Sequence, residues 1–166
     1  MQNGNGTDLL VDGTFTLSGN LSGDGTARIA SGGVFNWVNG NLPPGSGSLI
    51  IETDASATFN GGNGINQGRS LINNGTINWL GGLIVSGDGG SFVNNHIINI
   101  SNDIQVNTNC TGCPGLNFTN TSTGVISKTG GSGASVMGNA TNMIFNNDGV
   151  VNVQCRHHHI QGTRNT

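Results

Sequence analysis

The chain has 166 residues, of which 8% are charged and 30 are Gly, whereas charged residues make up about 25% of a typical globular protein. It carries 5 Lys plus Arg and a formal net charge of −3, so no basic patch predicts a nucleic-acid partner. No apolar run is long enough for membrane insertion, and the low charge differs from the composition of a disordered chain.

A short pattern of one apolar, one small polar and one apolar residue recurs along the chain. It begins at residues 15–17, returns roughly every 23 residues and ends at residues 151–153. Alternation with a period of two predicts strands, and the Gly-rich and Asn-rich segments between them predict turns. We therefore expect an all-β fold, a right-handed parallel β-helix (β-solenoid) of about six or seven coils, over residues 1–154. Residues 155–166 lack the pattern and are interpreted as an atypical C-terminal tail.

Equivalent positions of successive coils should stack on one another. The outer members of each triplet predict two inward columns, with the core residues Phe15, Phe35, Phe59, Ile77, Ile98, Ile126, Val151, Trp37 and Trp79. The middle members predict an outward structural ladder whose amides hydrogen-bond along the stack, formed by Asn36, Asn60, Asn78, Asn99 and Asn152. Adjacent Asn pairs, such as Asn73-Asn74, are expected in turns with a left-handed backbone.

The segments GVFNWVNG, GSGSLII, ATFNGG, RSLINNGTINWLGG and SFVNNHIINI resemble the β-strand repeats of bacterial surface and secreted proteins. These are the filamentous-haemagglutinin and autotransporter-adhesin type of β-helix, and the resemblance covers roughly residues 10–154. It implies an extracellular or cell-surface location and a structural or adhesive role, because such repeats mostly form stalks.

Carboxylate pairs were considered because enzymes on β-helices generally cleave polysaccharides, and glycosidase carboxylates lie roughly 5–9.5 Å apart. Asp24 and Asp88 fall three coils apart, which is too far, and Asp8 and Glu52 fall two coils apart, which is borderline. We interpret these acids as turn caps. No catalytic residue and no cofactor is predicted, and the chain is not expected to be an enzyme.

The cysteines leave two alternatives open. Cys110 and Cys113 form a C-x-x-C motif inside the longest gap between triplets, and Cys155 and His157 follow the last triplet. A disulfide between Cys110 and Cys113 is the simpler interpretation in an oxidising compartment. A zinc site made from Cys110, Cys113, Cys155 and His157 is the less favoured one.

Three functions follow from this interpretation. The first is a structural or adhesive solenoid segment, whose open coils suit either a longer protein or end-to-end stacking with itself into fibres, and whose other partner would be a cell-surface glycan or protein. The second is a carbohydrate-binding or ice-binding solenoid, and the third is a polysaccharide-degrading enzyme. Carbohydrate binding would favour exposed aromatic residues, but Trp37 and Trp79 have the inward phase.

Overall fold

The structure is a computed structural model that describes residues 8–43, 45–66, 69–86, 89–108, 115–137 and 143–154. These residues form short β-strands and no helix. In chain order the strands are β1 (Leu9–Val11), β2 (Thr14–Leu17), β3 (Ala27–Ile29), β4 (Val34–Trp37), β5 (Ser48–Ile51), β6 (Ser56–Asn66), β7 (Ser70–Asn73), β8 (Thr76–Ser86), β9 (Ser91–Asn94), β10 (Ile97–Ile100), β11 (Gln105–Thr108), β12 (Asn117–Asn120), β13 (Val125–Lys128), β14 (Val136–Met137), β15 (Ile144–Asn147) and β16 (Val150–Val153).

The strands stack into a parallel β-solenoid of about six turns, which confirms the predicted fold class. The first sheet has the order β1-β3-β5-β7-β9-β12-β15, and the second sheet pairs β2, β4, β6, β8, β10, β13 and β16. One strand from each sheet, joined by a short turn, makes up a rung of the solenoid. The hand of the coil stays a prediction from the right-handed rule for parallel crossovers.

A third face closes each rung before the chain enters the next one. β11 pairs in parallel with the second half of β8, and β14 continues this pairing on the other side of β11. In the first rungs the fully buried Leu21 and Leu42 follow β2 and β4 in the chain. The solenoid therefore encloses a core with apolar side chains on three sides.

The alternating sequence explains why the strands face the core on one side only. In β4 the burial alternates so that Phe35 and Trp37 are fully buried while Asn36 between them is half-buried. Successive side chains of a strand point to opposite faces of the sheet, so this register cannot shift by one residue without exposing both rings.

The third rung corrects the predicted position of Phe59 and Asn60. The register aligns Phe35 with Ala57 and Trp37 with Phe59, so Phe59 belongs to the tryptophan column. The backbone sets this register, because the N–H of Ser56 donates to the carbonyl of Gly33 at 3.0 Å. The prediction that Phe59 aligns with Phe35 was therefore wrong by two residues, because the Phe59 ring occupies the next inward position of its strand.

Two inward columns run through the second sheet. The first contains Phe15, Phe35, Ala57, Ile77, Ile98, Ile126 and Val151, and the second contains Leu17, Trp37, Phe59, Trp79, Ile100, Lys128 and Val153. The interior members Phe35, Phe59, Ile77, Ile98 and Ile126 are buried, as are Trp37 and Trp79. Phe15 is half-buried and Val151 is 44% exposed, because they lie on the first and last described rungs, each with a described neighbour on one side only.

Aromatic rings make up much of the core between the columns. The Trp37 and Phe59 rings meet edge to face with centroids 5.3 Å apart, and Phe59 meets Trp79 at 5.6 Å. Phe92 and Phe118 of the first sheet stack with centroids 4.5 Å apart. Such pairs add about 0.5–1.5 kcal/mol each beyond the burial of their area.

Candidate interaction surfaces

The outward ladder of the second sheet exists, with one correction to its membership. The aligned residues are Thr16, Asn36, Thr58, Asn78, Asn99, Ser127 and Asn152. Thr58 takes the place predicted for Asn60, which is exposed and aligns with Gly81 beyond a register shift. Within the ladder Asn99 Nδ2 donates to Asn78 Oδ1 at 3.2 Å.

A second asparagine ladder lies inside the solenoid, and the sequence analysis did not predict it. Asn73, Asn94 and Asn120 are fully buried at the ends of β7, β9 and β12. Each Nδ2 donates at 2.7 Å to Oδ1 of the next asparagine, in the order Asn73, Asn94, Asn120 and Asn147. We call this series the inner ladder.

The inner ladder also satisfies the backbone where the chain turns between the two sheets. Asn73 Oδ1 accepts from the N–H of Gly75 at 3.2 Å, and Asn94 Nδ2 donates to the carbonyl of His96 at 3.2 Å. Buried amides need such partners, because an unpaired polar group costs roughly 1–3 kcal/mol in the interior. The ladder therefore couples each rung to the next and to its own turn.

The alternation of inward and outward residues along each strand indicated this ladder. Leu71 has the inward phase, so Asn73 two residues later has it as well, and the same spacing places Asn94 after Phe92. The expected left-handed turn at these pairs is wrong, because Asp54 is the only described residue other than Gly with a positive φ. In Asn73-Asn74 and Asn94-Asn95 the first Asn ends a strand and the second faces outward, whereas in Asn146-Asn147 the second Asn ends β15 and belongs to the inner ladder.

The second asparagines form a short surface ladder of their own. Asn95 Nδ2 donates to Asn74 Oδ1 at 2.8 Å, and the Thr121 hydroxyl donates to Asn95 Oδ1 at 3.1 Å. The corner between the two sheets thus carries one amide series inside and another outside.

Arg69 is a buried cation that joins three rungs. It is 3% exposed, and its guanidinium donates to the carbonyls of Leu21 at 3.2 Å, Gly25 at 2.8 Å and Gly47 at 3.2 Å. Burial lowers the pKa of Arg69, and the negative charge of Asp24 opposes that shift. Gly47 has to lack a side chain, because a Cβ there would overlap both the guanidinium and the Gly25 carbonyl.

The described acidic residues of the candidate catalytic pairs accept hydrogen bonds from backbone N–H groups or form a surface ion pair. Asp8 Oδ1 accepts from the N–H of Thr26 at 3.0 Å, and Asp24 Oδ1 accepts from the N–H of Ser46 at 3.3 Å. Glu52 forms an ion pair with Arg28 at 2.6 Å, while Asp88 lies outside the described residues.

Asp103 and Lys128 form an ion pair at the rim of the last complete turn. Lys128 occupies an inward column position, and its Nζ reaches Asp103 Oδ1 at 2.7 Å and the Asn102 carbonyl at 3.3 Å. The hydrogen bond from Lys128, followed by that from the N–H of Gly133 at 2.8 Å, lowers the pKa of Asp103.

The outer face of the first sheet is regular and largely uncharged. Its aligned columns are Ser48, Ser70 and Ser91, and beside them Ile50, Ile72 and Val93. The Ser91 hydroxyl donates to Ser70 Oγ at 2.9 Å, and the aliphatic column is half-buried. This face repeats at the spacing of parallel strands, roughly 4.8 Å.

The C-terminal end of the described solenoid is open and apolar. An open cavity of about 830 Å³ lies there, lined on one side by Ile100, Ile126 and Lys128 and on the other by Phe145, Val151 and Val153. β15 and β16 end their sheets, so each has one edge without a paired strand among the described residues.

The residues proposed for zinc or a disulfide (Cys110, Cys113, Cys155 and His157) lie outside the described residues. Within the described ranges no group of three or more His, Cys, Asp or Glu side chains is arranged to hold a metal ion. The same ranges contain no helix long and apolar enough to cross a membrane.

Comparison of the chain with protein-family models, curated proteins and solved structures finds no significant match.

Proposed function

We propose that this chain is a structural β-solenoid segment of a secreted or cell-surface protein, with adhesion as its associated role. The observation that carries this proposal is the continuity of the side-chain series along the solenoid axis. Aromatic columns, three asparagine ladders and the Arg69 contacts join successive rungs in addition to the backbone hydrogen bonds. Contacts of this kind resist separation of the rungs along the axis.

Two features of the sequence support the proposed secreted or cell-surface location. The repeats resemble those of filamentous-haemagglutinin and autotransporter-adhesin stalks, and the polar side chains of the chain are mainly the neutral Asn, Ser and Thr. An antibody raised against the chain should therefore label intact cells of the source organism, and labelling only after lysis would contradict the proposed location.

Mechanical unfolding tests the structural role. A single chain pulled between its two ends should unfold in successive steps at high force, because each rung is bonded to its neighbours. Unfolding at low force in one step would overturn the structural role.

Asn78→Ala should change adhesion of the chain to cells or glycans only as far as it changes the stability of the fold.

A second candidate is binding to a flat, regular ligand such as a polysaccharide surface or ice. The Ser and β-branched columns on the outer face of the first sheet favour it. Ile72→Lys should then abolish binding to immobilised polysaccharide or to ice without lowering the melting temperature, whereas a purely structural segment would show no such binding to lose.

A further inference from the structure

An asparagine followed by glycine is the dipeptide in which the asparagine side chain deamidates most readily. The backbone nitrogen of the glycine attacks the side-chain carbon Cγ, and glycine has no Cβ to hinder that approach. The sequence contains this dipeptide six times, and the side chains of Asn39, Asn60 and Asn74 lie among the described residues. The fold gives these three asparagines different surroundings.

Asn39 lies in the turn after β4, outside both sheets. Its Oδ1 accepts from the N–H of Gly40 at 2.7 Å, and this contact is exposed to solvent. Because Oδ1 is bonded to Cγ, the hydrogen bond holds the Gly40 nitrogen beside the carbon that it would attack. No described residue of another rung bonds to the Asn39 side chain, whereas the nearby Asn41 side chain donates to Asn20 at 3.0 Å.

Asn74 is also followed by glycine, but both reacting groups are held by other residues. The N–H of Gly75 donates to Asn73 Oδ1 at 3.2 Å, and Asn74 Oδ1 accepts from Asn95 Nδ2 at 2.8 Å. Bringing the Gly75 nitrogen to Asn74 Cγ would break one contact of the inner ladder and one of the surface ladder. The folded chain should therefore protect Asn74.

Asn102 is the complementary case, with the same local contact but no glycine. Its Oδ1 accepts from the N–H of Asp103 at 2.8 Å, and the Asp103 side chain hinders attack by its own backbone nitrogen. Asn60 lies within β6, where pairing with β8 holds the backbone extended. Among these four described sites, Asn39 alone combines the local contact with a following glycine in a turn.

We propose that Asn39 is a site of spontaneous deamidation in the folded protein, with water as the co-reactant. The Gly40 nitrogen bonds to Asn39 Cγ as the Cγ–Nδ2 bond breaks, and the Gly40 amide proton passes through solvent to Nδ2, which leaves as ammonia. Water then opens the cyclic imide. Attack at Cγ gives aspartate, and attack at the main-chain carbonyl carbon of Asn39 gives isoaspartate, whose peptide link runs through the side chain.

Isoaspartate would disturb a closely packed turn. The Nε1 of Trp37 donates to the carbonyl of Gly40 at 3.3 Å, and a Cβ on Gly40 would overlap the carbonyl of Gly19 on the preceding rung. Isoaspartate lengthens the main chain by one carbon next to Gly40, so it should displace this residue from both contacts. The first rungs should then open more easily in aged protein than in fresh protein. This inference does not depend on the proposed structural role.

Peptide mass spectrometry of the full chain, incubated in mildly alkaline buffer, tests the site. Replacement of the side-chain NH2 by OH identifies deamidation, and fragmentation by electron transfer separates isoaspartate from aspartate. Asn39 should convert at least about tenfold faster than Asn74, because displacing reacting atoms by ~1 Å can cost roughly 100-fold in rate. Asn60 and Asn102 should also convert more slowly than Asn39.

Incubation in concentrated denaturant is the matched control. Asn39 and Asn74 should then convert at similar rates, because both precede glycine and no fold separates them. Equal rates at these two residues in the folded chain, or a faster rate at Asn74 or Asn102 than at Asn39, would overturn the inference.

Asn39→Gln tests the consequence for the fold. It keeps an amide but should not convert, because the reaction would have to close a larger ring. The melting temperature of the wild type should fall further during incubation than that of Asn39→Gln, which shares every other asparagine. An equal fall after Asn39 has converted would contradict the displacement of Gly40.

Discussion

Trp79 shows how much one inward residue contributes in a core only a few side chains wide. Its ring is 1% exposed and packs against Phe59 and Phe92, and its Nε1 donates to the carbonyl of Gly81 at 3.1 Å. Trp79→Ala should lower the free energy of unfolding by about 3–5 kcal/mol, because the cavity cannot close between fixed rungs. Chemical denaturation measures this change.

The neighbouring Leu80 provides the control, since it is 41% exposed. Leu80→Ala should change the free energy of unfolding by less than about 0.5 kcal/mol. An unchanged melting temperature for Trp79→Ala would contradict its inward position.

Arg69 carries its charge into the interior, and no carboxylate of the described residues is in direct contact with it. Arg69→Met keeps the long side chain and removes the donors to the carbonyls of Leu21, Gly25 and Gly47. The free energy of unfolding should fall by about 3 kcal/mol, because the buried carbonyls lose charged partners. Arg28→Met, which removes a surface ion pair with Glu52, should cost less than about 1 kcal/mol. Equal losses of unfolding free energy in the two variants would contradict the role of Arg69 in joining three rungs.

The ion pair between Asp103 and Lys128 predicts that the stability of the fold falls in acid. The hydrogen bond from Lys128 lowers its pKa in the folded state, so the unfolded chain binds the proton more readily. The stabilisation is present above the unfolded pKa of about 3.9 and is lost as the pH falls through the folded pKa. Urea unfolding should show Asp103→Asn to be less stable than the wild type at pH 7, with the difference disappearing in acid. Asp12→Asn, at an exposed position, controls for the change in net charge.

At the scale of the strand pair, the inner ladder and the outward ladder of the second sheet should differ in their contribution to stability. Asn94→Ala leaves one hydrogen of Asn73 Nδ2 and the Asn120 Oδ1 acceptor without their partners in the interior, and should cost about 3 kcal/mol. Asn78→Ala removes a half-exposed ladder contact that water can replace, and should cost about 1 kcal/mol. Thermal and denaturant unfolding of the two variants measure the difference, and a larger loss for Asn78→Ala would reverse the assignment of inside and outside.

For the whole molecule, the stacked arrangement predicts a gradient of protection from hydrogen exchange. Each rung contacts only its neighbours, so a terminal rung opens more easily than an interior one. The β15 and β16 amides should exchange first among the C-terminal strands, and those of β7 and β8 should exchange last. Peptide-level mass spectrometry follows this order, and uniform protection along the solenoid would indicate a single cooperative unit.

Much of this architecture was determined by the sequence itself. The triplet period predicted parallel stacked strands because alternation specifies which face of a strand is buried, and stacking follows when no single rung can bury its apolar side alone. The inward phase of Trp37 and Trp79 and the outward phase of Asn36, Asn78 and Asn99 could be read locally, since neither depends on the turns.

Other features were decided only by the tertiary structure. The register of β6 depends on backbone hydrogen bonds to the rung beneath, so Ala57, and not Phe59, aligns with Phe35. Arg69 reaches carbonyls up to 48 residues away in the chain, and no local pattern encodes such a contact. The inner ladder had a signal in the alternation, but its hydrogen bonds run between rungs. Their common direction arises only when the rungs stack, because a single strand has no neighbour toward which an amide can point.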